Sequence, residues 1–246
     1  MKLFLSILLL ISLLSSCSHT KKNPGICISF DDRSIHEWST LKPLLNSYNA
    51  HVTFFVTQFD SLTHEEIQLL KDLQSDGHEI GSHGAMHVLS ETYIKEHSYN
   101  EWLEKEIDAD IANLKGNGFN PTSFAYPYGA KYWFTDHLLK QRFEIVRSVA
   151  PLTDPIEDID DIFYDFDNDR TLSAIGFDKD SGMTEEKIER ALNRAVQQNE
   201  VLMIYAHIPG DGNGNSSFDV KFLEKILAAS ANRGMTFYRF NDLSGD

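Results

Sequence analysis

The sequence has few cysteines and few basic residues, and each shortage excludes a class of protein. Only two cysteines, Cys17 and Cys27, occur among 246 residues. The chain therefore lacks the disulfide framework that holds small secreted domains together. Lysine and arginine total 22 against 37 aspartates and glutamates, which gives a net charge of −15. Because nucleic-acid binding depends on a basic surface, this balance argues against a nucleic-acid partner.

Long hydrophobic runs are also scarce, and the conspicuous one lies at the N-terminus. Residues 3–14 are mostly Leu and Ile and follow Lys2, but they are too few to span a bilayer as an ordinary transmembrane helix. The run ends in "LSSC", where small residues precede Cys17. This pattern resembles a bacterial lipoprotein signal, in which the cysteine is acylated and becomes the new N-terminus. An ordinary secretory leader cleaved nearby is the alternative, and either one implies export.

We therefore expect three parts in the chain. Residues 1–16 are a lipoprotein signal peptide, residues 17–24 a polar tether, and residues 25–246 the functional domain. Lipidated Cys17 would hold the protein on a membrane surface of the bacterial cell envelope, in the periplasm or at the outer membrane.

The main domain has the size of one large folding unit, without repeats or low-complexity linkers. Predicted strands cover residues 26–30, 51–56, 79–80, 123–125, 144–149, 171–175, 201–206 and 235–238. Predicted helices cover residues 35–48, 63–76, 99–117, 132–141, 184–199 and 218–232. This alternation implies parallel strands with helices outside. About seven or eight strands favour a closed or nearly closed β/α barrel, and an open doubly wound sheet is the alternative.

Polar side chains with chemical capability follow several predicted strands. They are Asp31 and Asp32 after the first strand, His83 and His87 after the third, residues 126–129 ("YPYG") after the fourth, and His207 after "VLMIYA". In β/α barrels the catalytic residues lie at the C-terminal ends of the strands. We therefore expect these residues to share one site.

The histidine and aspartate pairs suggest a metal centre. A spacing of four predicts that His83 and His87 lie on one face of a helical turn, close enough to bind one ion. A set of two histidines and one aspartate leaves positions open for water and substrate, as catalytic sites do. Neighbours in a strand face opposite sides. Asp31 and Asp32 can therefore serve one centre only if the strand ends at Phe30, and a dication would offset their repulsion.

Four motifs strengthen this interpretation. In order, they are "SFDDR", "HGAMH", "AYPYG" and "IYAHIPG". Together they resemble the polysaccharide deacetylases, the NodB-homology or carbohydrate esterase family 4 group, over essentially all of residues 25–243. The resemblance implies an α/β fold, a distorted (β/α)7 barrel. It also implies an enzyme with one divalent metal, usually zinc with cobalt or nickel as alternatives, that hydrolyses acetyl groups from N- or O-acetylated glycans.

The resemblance also assigns roles to residues. It makes Asp31 the general base, Asp32, His83 and His87 the metal ligands, Tyr128 a backbone N–H donor to the oxyanion, His207 the general acid, and Ile204 part of the apolar floor for the acetyl methyl group. The form "AYPYG" resembles the branch that includes poly-N-acetylglucosamine deacetylases, and de-N-acetylation is therefore favoured over de-O-acetylation.

Two positions depart from the family pattern. Arg33 stands where the first motif usually ends in glycine, and Ala125 stands where the third usually carries the arginine that orients the base. We predict that Arg147, at the end of a neighbouring strand, supplies the missing guanidinium. Arg33 is the alternative, and otherwise it contacts substrate. Asp154 or Asp158 is the expected partner of the general acid.

Other interpretations remain open at this stage. Tyr126, Tyr132, Trp133 and Trp38 lie near the motifs and are candidates either for stacking on sugar rings or for the core. A barrel that binds glycan without catalysis is one alternative function. A metal amidohydrolase acting on a small non-sugar amide is another, and a closed, narrow pocket would favour it, whereas an open groove would favour a polymer.

Overall fold

The computed structural model describes residues 22–212, 214 and 216–244. The predicted signal peptide, Cys17 and the first part of the tether lie outside the described residues. Within the described part of the chain, no helix combines the length and the apolar character needed to cross a membrane.

Eleven strands are present in the described residues. They are β1 (Gly25–Asp32), β2 (Thr53–Val56), β3 (Glu79–Ser82), β4 (Ser123–Ala125), β5 (Ile145–Val149), β6 (Phe163–Tyr164), β7 (Thr171–Gly176), β8 (Val201–Ala206), β9 (Ile208–Gly210), β10 (Ser217–Asp219) and β11 (Thr236–Tyr238). All eight predicted strands are found. The sequence did not indicate β6, β9 and β10, which are two or three residues long.

Seven of these strands form a closed parallel barrel. The hydrogen-bonded order runs β1, β2, β3, β4, β5, β7 and β8, and β8 pairs again with β1 along six residue pairs. Strand β11 joins the start of β1, and β6 pairs antiparallel with β8. Closure confirms the predicted distorted (β/α)7 barrel and rules out the open doubly wound sheet.

The alternation of side chains along β1 separates two apolar layers. Ile26, Ile28 and Phe30 belong to the large cluster between the strands and the helices. Phe30 stacks there on Phe54, with ring centroids 5.5 Å apart. Cys27 points the other way, into a second cluster inside the barrel, where it is fully buried. Burying a side chain as large as Phe contributes about 1.5–3 kcal/mol, so the outer layer fixes the strands that carry the site.

Nine α-helices occur in the described residues. They are α1 (Ile35–Ser39), α2 (Lys42–Ser47), α3 (His64–Ser75), α4 (Ser90–Glu96), α5 (Tyr99–Trp102), α6 (Ala109–Gly116), α7 (Thr135–Leu139), α8 (Glu185–Gln198) and α9 (Val220–Asn232). A π-helical segment, Leu103–Asp108, connects α5 and α6.

Three predicted helices differ from the structure, and α4 was not predicted. The helix predicted over residues 99–117 is divided by the π-helical segment between α5 and α6. The helix predicted over residues 35–48 is two short helices, α1 and α2. Pro43 lies in the first turn of α2, where its missing N–H costs little, whereas in the middle of a long helix it would remove a hydrogen bond. The helix predicted over residues 132–141 is shorter and begins at Thr135.

Candidate active site

The residues that follow the strands meet in one cavity at the mouth of the barrel. Its volume is about 310 Å³. It is lined by Asp31, Asp32, His83, His87, Tyr128, Gly129, Val149, Tyr205, His207 and Ser216. Six of the eight residues predicted for the site, all except Arg33 and Arg147, therefore line this cavity.

The two aspartates reach the cavity in a different way from the one predicted. Strand β1 does not end at Phe30, because Asp31 and Asp32 still pair with Phe55 and Val56 of β2. Asp32 has a φ of +84°, which lies outside the range of ordinary strand residues. This left-handed backbone breaks the alternation of the strand, so that two adjacent carboxylates face the same cavity.

The histidine pair is not on a helix, which corrects the prediction from spacing. His83 directly follows β3, and its backbone N–H bonds to the Val56 carbonyl at 2.9 Å. The Nδ1 atom of His83 lies 2.8 Å from the Ala125 carbonyl oxygen. His87 lies in a turn with a φ of +58°. The Nε2 atoms of His83 and His87 lie 3.5 and 3.2 Å from Asp32 Oδ1.

This cluster fits one divalent cation. One ligand atom from each of Asp32, His83 and His87 lies within 4.8 Å of the others. Because His83 Nδ1 faces a carbonyl, that nitrogen carries the proton and Nε2 is left as a ligand. Burial opposes ionisation of Asp32, but hydrogen bonds with His83 and His87 outweigh it and lower the pKa of the carboxyl. Imidazole nitrogen with carboxylate oxygen suits zinc, cobalt or nickel.

Asp31 is held by a buried arginine. Arg147 Nη2 donates a hydrogen bond to Asp31 Oδ2, and both side chains are almost completely buried. The guanidinium also lies over the rings of Phe55 and Tyr205, 5.3 and 4.8 Å from their centroids. Within the described residues, Asp31 Oδ1 has no hydrogen-bond partner. One carboxylate oxygen is therefore fixed, while the other is available as a proton acceptor.

The position of Arg147 follows from the register of the sheet. Ala125 in β4 is paired directly with Arg147 in β5. Arg147 therefore brings its guanidinium into the barrel at the level of Ala125. Arg33 lies elsewhere, since it donates to Ser61 Oγ at 2.7 Å and pairs with Glu66 at 3.6 Å. Of the two arginines considered from the sequence, Arg147 is thus the one that contacts Asp31.

The partner of His207 is Asp178, which corrects the expectation of Asp154 or Asp158. The Asp178 carboxylate accepts from His207 Nδ1 at 2.6 Å and from the His207 backbone N–H at 3.1 Å. Asp154 instead pairs with Arg190 at 2.5 Å, and Asp158 lies in a 3₁₀ turn. Asp178 comes two residues after β7. The rule that site residues follow strands would have found it.

The electrostatics around His207 favour its charged form. Burial alone would lower the pKa of the imidazole, but the hydrogen bond that His207 donates to Asp178 and the charge of Asp31 raise this pKa to about 9. His207 is therefore protonated at neutral pH in the metal-free protein, and its Nε2–H is a proton donor.

The remaining wall of the cavity is made by the turn after β4. Tyr128 has a φ of +59° and a 66% exposed side chain, and its ring lies 4.6 Å from that of His87. Gly129 has a φ of +63°, and a Cβ there would lie 2.1 Å from the Val149 side chain. A larger residue at position 129 would therefore displace this wall.

Other predicted contributors lie outside the cavity. Ile204 belongs to the outer apolar layer, so Val149 and Tyr205 provide the apolar wall instead. Among the aromatic candidates, Trp38 and Tyr126 are fully buried core residues, whereas Trp133 is 78% exposed.

A second cavity opens next to the first. Its volume is about 490 Å³, and it shares His87 and Tyr128 with the cavity at the barrel mouth. The rest of its lining comes from α4 and the two residues before it: Val88, Leu89, Thr92, Tyr93 and Glu96. The two cavities therefore adjoin at His87 and Tyr128, beside the aspartate–histidine cluster.

Comparison with known families agrees with this geometry. Residues 18–142 match the family described as polysaccharide deacetylase. The chain belongs to the polysaccharide deacetylase family. No curated protein matches the sequence.

Solved structures of this group share the fold at low sequence identity. A Streptococcus mutans CE4 esterase has 15% identity and a TM-score of 0.61, over 89% of this chain and 87% of that chain. The chitin deacetylase of Colletotrichum lindemuthianum has 14% identity and a TM-score of 0.59, over 92% and 89%. The catalytic domain of a peptidoglycan N-acetylglucosamine deacetylase from Eubacterium rectale has 18% identity and a TM-score of 0.54, over 91% of each chain.

Proposed function

We propose that the protein hydrolyses acetyl groups from an N-acetylated glycan with the help of one divalent metal ion. The observation that carries this proposal is the state of Asp31. One of its oxygens is held by Arg147, and the other is unpartnered among the described residues, in the cavity that contains Asp32, His83 and His87. A fixed carboxylate with a free oxygen beside a metal-binding cluster is what removal of a proton from water requires.

The metal would be held by Asp32, His83 and His87, with zinc favoured and cobalt or nickel as alternatives. When bound, such an ion supplies Lewis-acid activation of the water nucleophile and of the acetyl carbonyl.

Side chains of the protein then carry out the proton transfers. Asp31 Oδ1 accepts a proton from the attacking water, while Arg147 holds the carboxylate in orientation. The Tyr128 backbone N–H donates to the carbonyl oxygen as negative charge develops on it. Protonated His207, held by Asp178, donates a proton to the departing nitrogen. The C–N bond breaks, and acetate and a free amine leave the site.

The surroundings of the site favour a polymeric, uncharged substrate. The cavity at the barrel mouth adjoins a second cavity along α4, and this extended lining favours a polymer, whereas a closed, narrow pocket would favour a small amide. The net charge of −15 disfavours a polyanionic glycan. The similar structures include a peptidoglycan N-acetylglucosamine deacetylase and a chitin deacetylase, and these names support an N-acetylglucosamine polymer as the substrate class.

A substrate panel tests this function. Purified protein loaded with Zn²⁺ should release acetate from N-acetylglucosamine oligomers or polymers, with one free amine formed per acetate. Release only from O-acetylated xylan would shift the activity to ester hydrolysis. Release only from small non-sugar amides would identify an amidohydrolase. Binding of glycan without any acetate release would identify a non-catalytic barrel.

We further propose that the protein is exported and anchored through acylated Cys17, because small residues precede this cysteine after a short apolar run. In a bacterial host, mass spectrometry of the membrane fraction should find an N-terminal lipid-modified cysteine. Cys17→Ala should move the protein into the soluble fraction, and Cys27→Ala, which removes the other cysteine, should not. Unchanged membrane partition of Cys17→Ala would contradict the anchor.

The two arginines should differ sharply when each is removed. Arg147→Ala should reduce kcat by about tenfold or more, because Asp31 loses the group that orients it, and small misplacements of catalytic groups are costly. Arg33→Ala should leave kcat and KM close to wild type, because its ion pair with Glu66 is partly exposed and worth about 0–1 kcal/mol. Both variants are compared by steady-state acetate release. If Arg33→Ala lost kcat and Arg147→Ala kept it, Arg33 would be the residue that orients Asp31.

The protonation of His207 gives a prediction in pH. Its folded-state pKa of about 9 lies above the ordinary imidazole value. Protonation of His207 therefore stabilises the fold fully below about pH 6.5, and this stabilisation is lost as the pH rises through about 9. In metal-free protein, NMR titration of the imidazole should give a midpoint near 9.

Asp178→Asn should lower the midpoint of the His207 titration. Burial still lowers the pKa of His207 in this variant, but the carboxylate that raises the pKa is gone. Asp180→Asn is the matched control, since Asp180 is exposed on the neighbouring 3₁₀ turn. A midpoint near 6.5 in the wild-type protein, or equal shifts in both variants, would contradict the role given to Asp178.

A further inference from the structure

The segment between the two histidines has an unusual backbone that needs support from outside. Gly84 has a φ of +83° and His87 a φ of +58°, and His87 is one of nine non-glycine residues of the described chain with positive φ. A left-handed residue persists only where the surrounding structure holds it. The orientation of the His87 ring therefore depends on what fixes residues 84–88.

Glu106 provides that support. Its carboxylate accepts from the Met86 N–H at 2.6 Å and from the Val88 N–H at 3.1 Å, and these two residues flank His87. Its backbone carbonyl also accepts from the Ala85 N–H at 2.9 Å. Three backbone N–H groups of one short turn thus converge on a single residue, which is itself completely buried.

The fit between Glu106 and the turn is close. A Cβ at Gly84 would lie 2.2 Å from Glu106 Oε1 and 2.7 Å from its Cδ, so the carboxylate occupies the space that any larger residue at position 84 would need. Glu106 lies in the π-helical segment Leu103–Asp108. Single π-turns inside helices are frequently found at functional sites.

His83 does not depend on this contact in the same way. Its backbone N–H bonds to Val56 and its ring to the Ala125 carbonyl, so the barrel strands fix it on two sides. The ring of His87 contacts Asp32 at 3.2 Å and the rings of Tyr128 and His83, and His87 itself lies in a turn outside the barrel strands. Support of the turn by Glu106 therefore acts on one ligand in particular.

We propose that Glu106 is a positioning residue of the metal site, which holds the His87 turn so that its Nε2 lies beside Asp32. This inference rests on the proposed function, since it assumes that Asp32, His83 and His87 bind the ion. Glu106 lines neither of the two cavities at the site, and it acts through the backbone of Met86 and Val88. Groups that orient metal ligands commonly change metal affinity by about 10–100-fold when they are altered.

The test measures metal affinity directly rather than activity. Zn²⁺ affinity of the metal-free protein is determined by competition with a chromogenic chelator for wild type and Glu106→Gln. The glutamine keeps the size of the side chain but offers one oxygen and one NH2 group to two N–H donors. We expect Glu106→Gln to bind Zn²⁺ about tenfold or more weakly.

Glu79→Gln is the matched control. Glu79 is also buried and also accepts several hydrogen bonds, from Thr53, Ser123 and the Asn241 N–H, but these contacts lie at the other end of β3. We expect Glu79→Gln to lower the melting temperature of the metal-free protein without weakening Zn²⁺ binding. Equal Zn²⁺ affinity of Glu106→Gln and wild type would overturn the proposal, as would an equal loss in both Gln variants.

The ligand through which Glu106 acts can also be identified. In a His87→Ala background, Glu106→Gln should cause little further loss of Zn²⁺ affinity, whereas in a His83→Ala background the loss should persist. If the losses of Zn²⁺ affinity caused by Glu106→Gln and His87→Ala were fully additive, the proposal would be overturned. If Glu106→Gln does not fold, Gly84→Ala decides, because its Cβ would displace the Glu106 carboxylate while residue 106 remains a glutamate. Wild-type protein that binds no metal would instead refute the proposed function itself.

Discussion

Asp31→Asn should lower kcat for acetate release by about 10²–10⁴-fold while the protein still binds its metal. The asparagine has nearly the same shape and still accepts a hydrogen bond from Arg147, but it takes no proton from water at neutral pH. Because Asp32, His83 and His87 are untouched, metal content should remain at the wild-type level. Acetate release and metal content measured on the same sample separate these two effects.

Stability should fall in the same variant. Arg147 is completely buried, and within the described residues its Nε and Nη1 have no hydrogen-bond partner, so Asp31 is its main neutralising contact. Breaking a buried ion pair by removing one charge costs about 3–5 kcal/mol, and the retained amide oxygen should reduce that cost. Thermal unfolding checks that the variant is folded at the assay temperature.

Ser29→Ala is a suitable control for Asp31→Asn. Ser29 lies two residues earlier in β1, is completely buried and has no hydrogen-bond partner for its hydroxyl among the described residues. Its replacement should leave kcat unchanged. If Asp31→Asn kept more than about a tenth of wild-type kcat with metal bound, Asp31 would not be the general base.

His87→Asn should weaken Zn²⁺ binding by more than about 100-fold and reduce acetate release to background at sub-saturating metal. Changes in groups that merely orient ligands cost about 10–100-fold, and loss of a ligand should exceed that range. Asparagine tolerates the left-handed backbone at this position, so the change removes the imidazole with little added strain. Isothermal titration of metal-free protein measures the affinity.

His64→Asn controls for loss of a histidine in general. His64 is exposed at the start of α3, outside the cavity at the barrel mouth. The His64→Asn variant should bind one equivalent of Zn²⁺ with wild-type affinity. If His87→Asn also retained that affinity, the ion would not be held by the cluster of Asp32, His83 and His87.

The barrel could be predicted from the sequence because its signals are local. Alternating apolar strands and helical patterns indicate parallel strands, and the order of polar residues after the strands indicates a shared mouth. The division of residues 35–48 into α1 and α2 was missed, although Pro43 marks the start of the second helix. Strands β6, β9 and β10 are too short to show a pattern of their own.

Parts of the site could not be predicted because they depend on backbone conformation and register. Spacing suggested a helical turn for His83 and His87, but a left-handed His87 in a turn brings them together instead. Contact between Arg147 and Asp31 depends on the pairing of β4 with β5, which puts Arg147 across from Ala125. Glu106 is distant from the motifs in sequence, and only the fold shows that its carboxylate supports the His87 turn.

The most direct measurement of the central proposal is acetate release during titration of Zn²⁺ into metal-free protein, with an N-acetylglucosamine oligomer as substrate. The cluster of Asp32, His83 and His87 predicts no release before metal is added, a rise up to one equivalent, and no further rise beyond it. Added chelator should abolish the activity, and metal should restore it. Acetate release that continues unchanged in the presence of chelator would contradict metal-dependent deacetylation. Absence of acetate release from every acetylated glycan, with one full equivalent of Zn²⁺ bound, would contradict it as well.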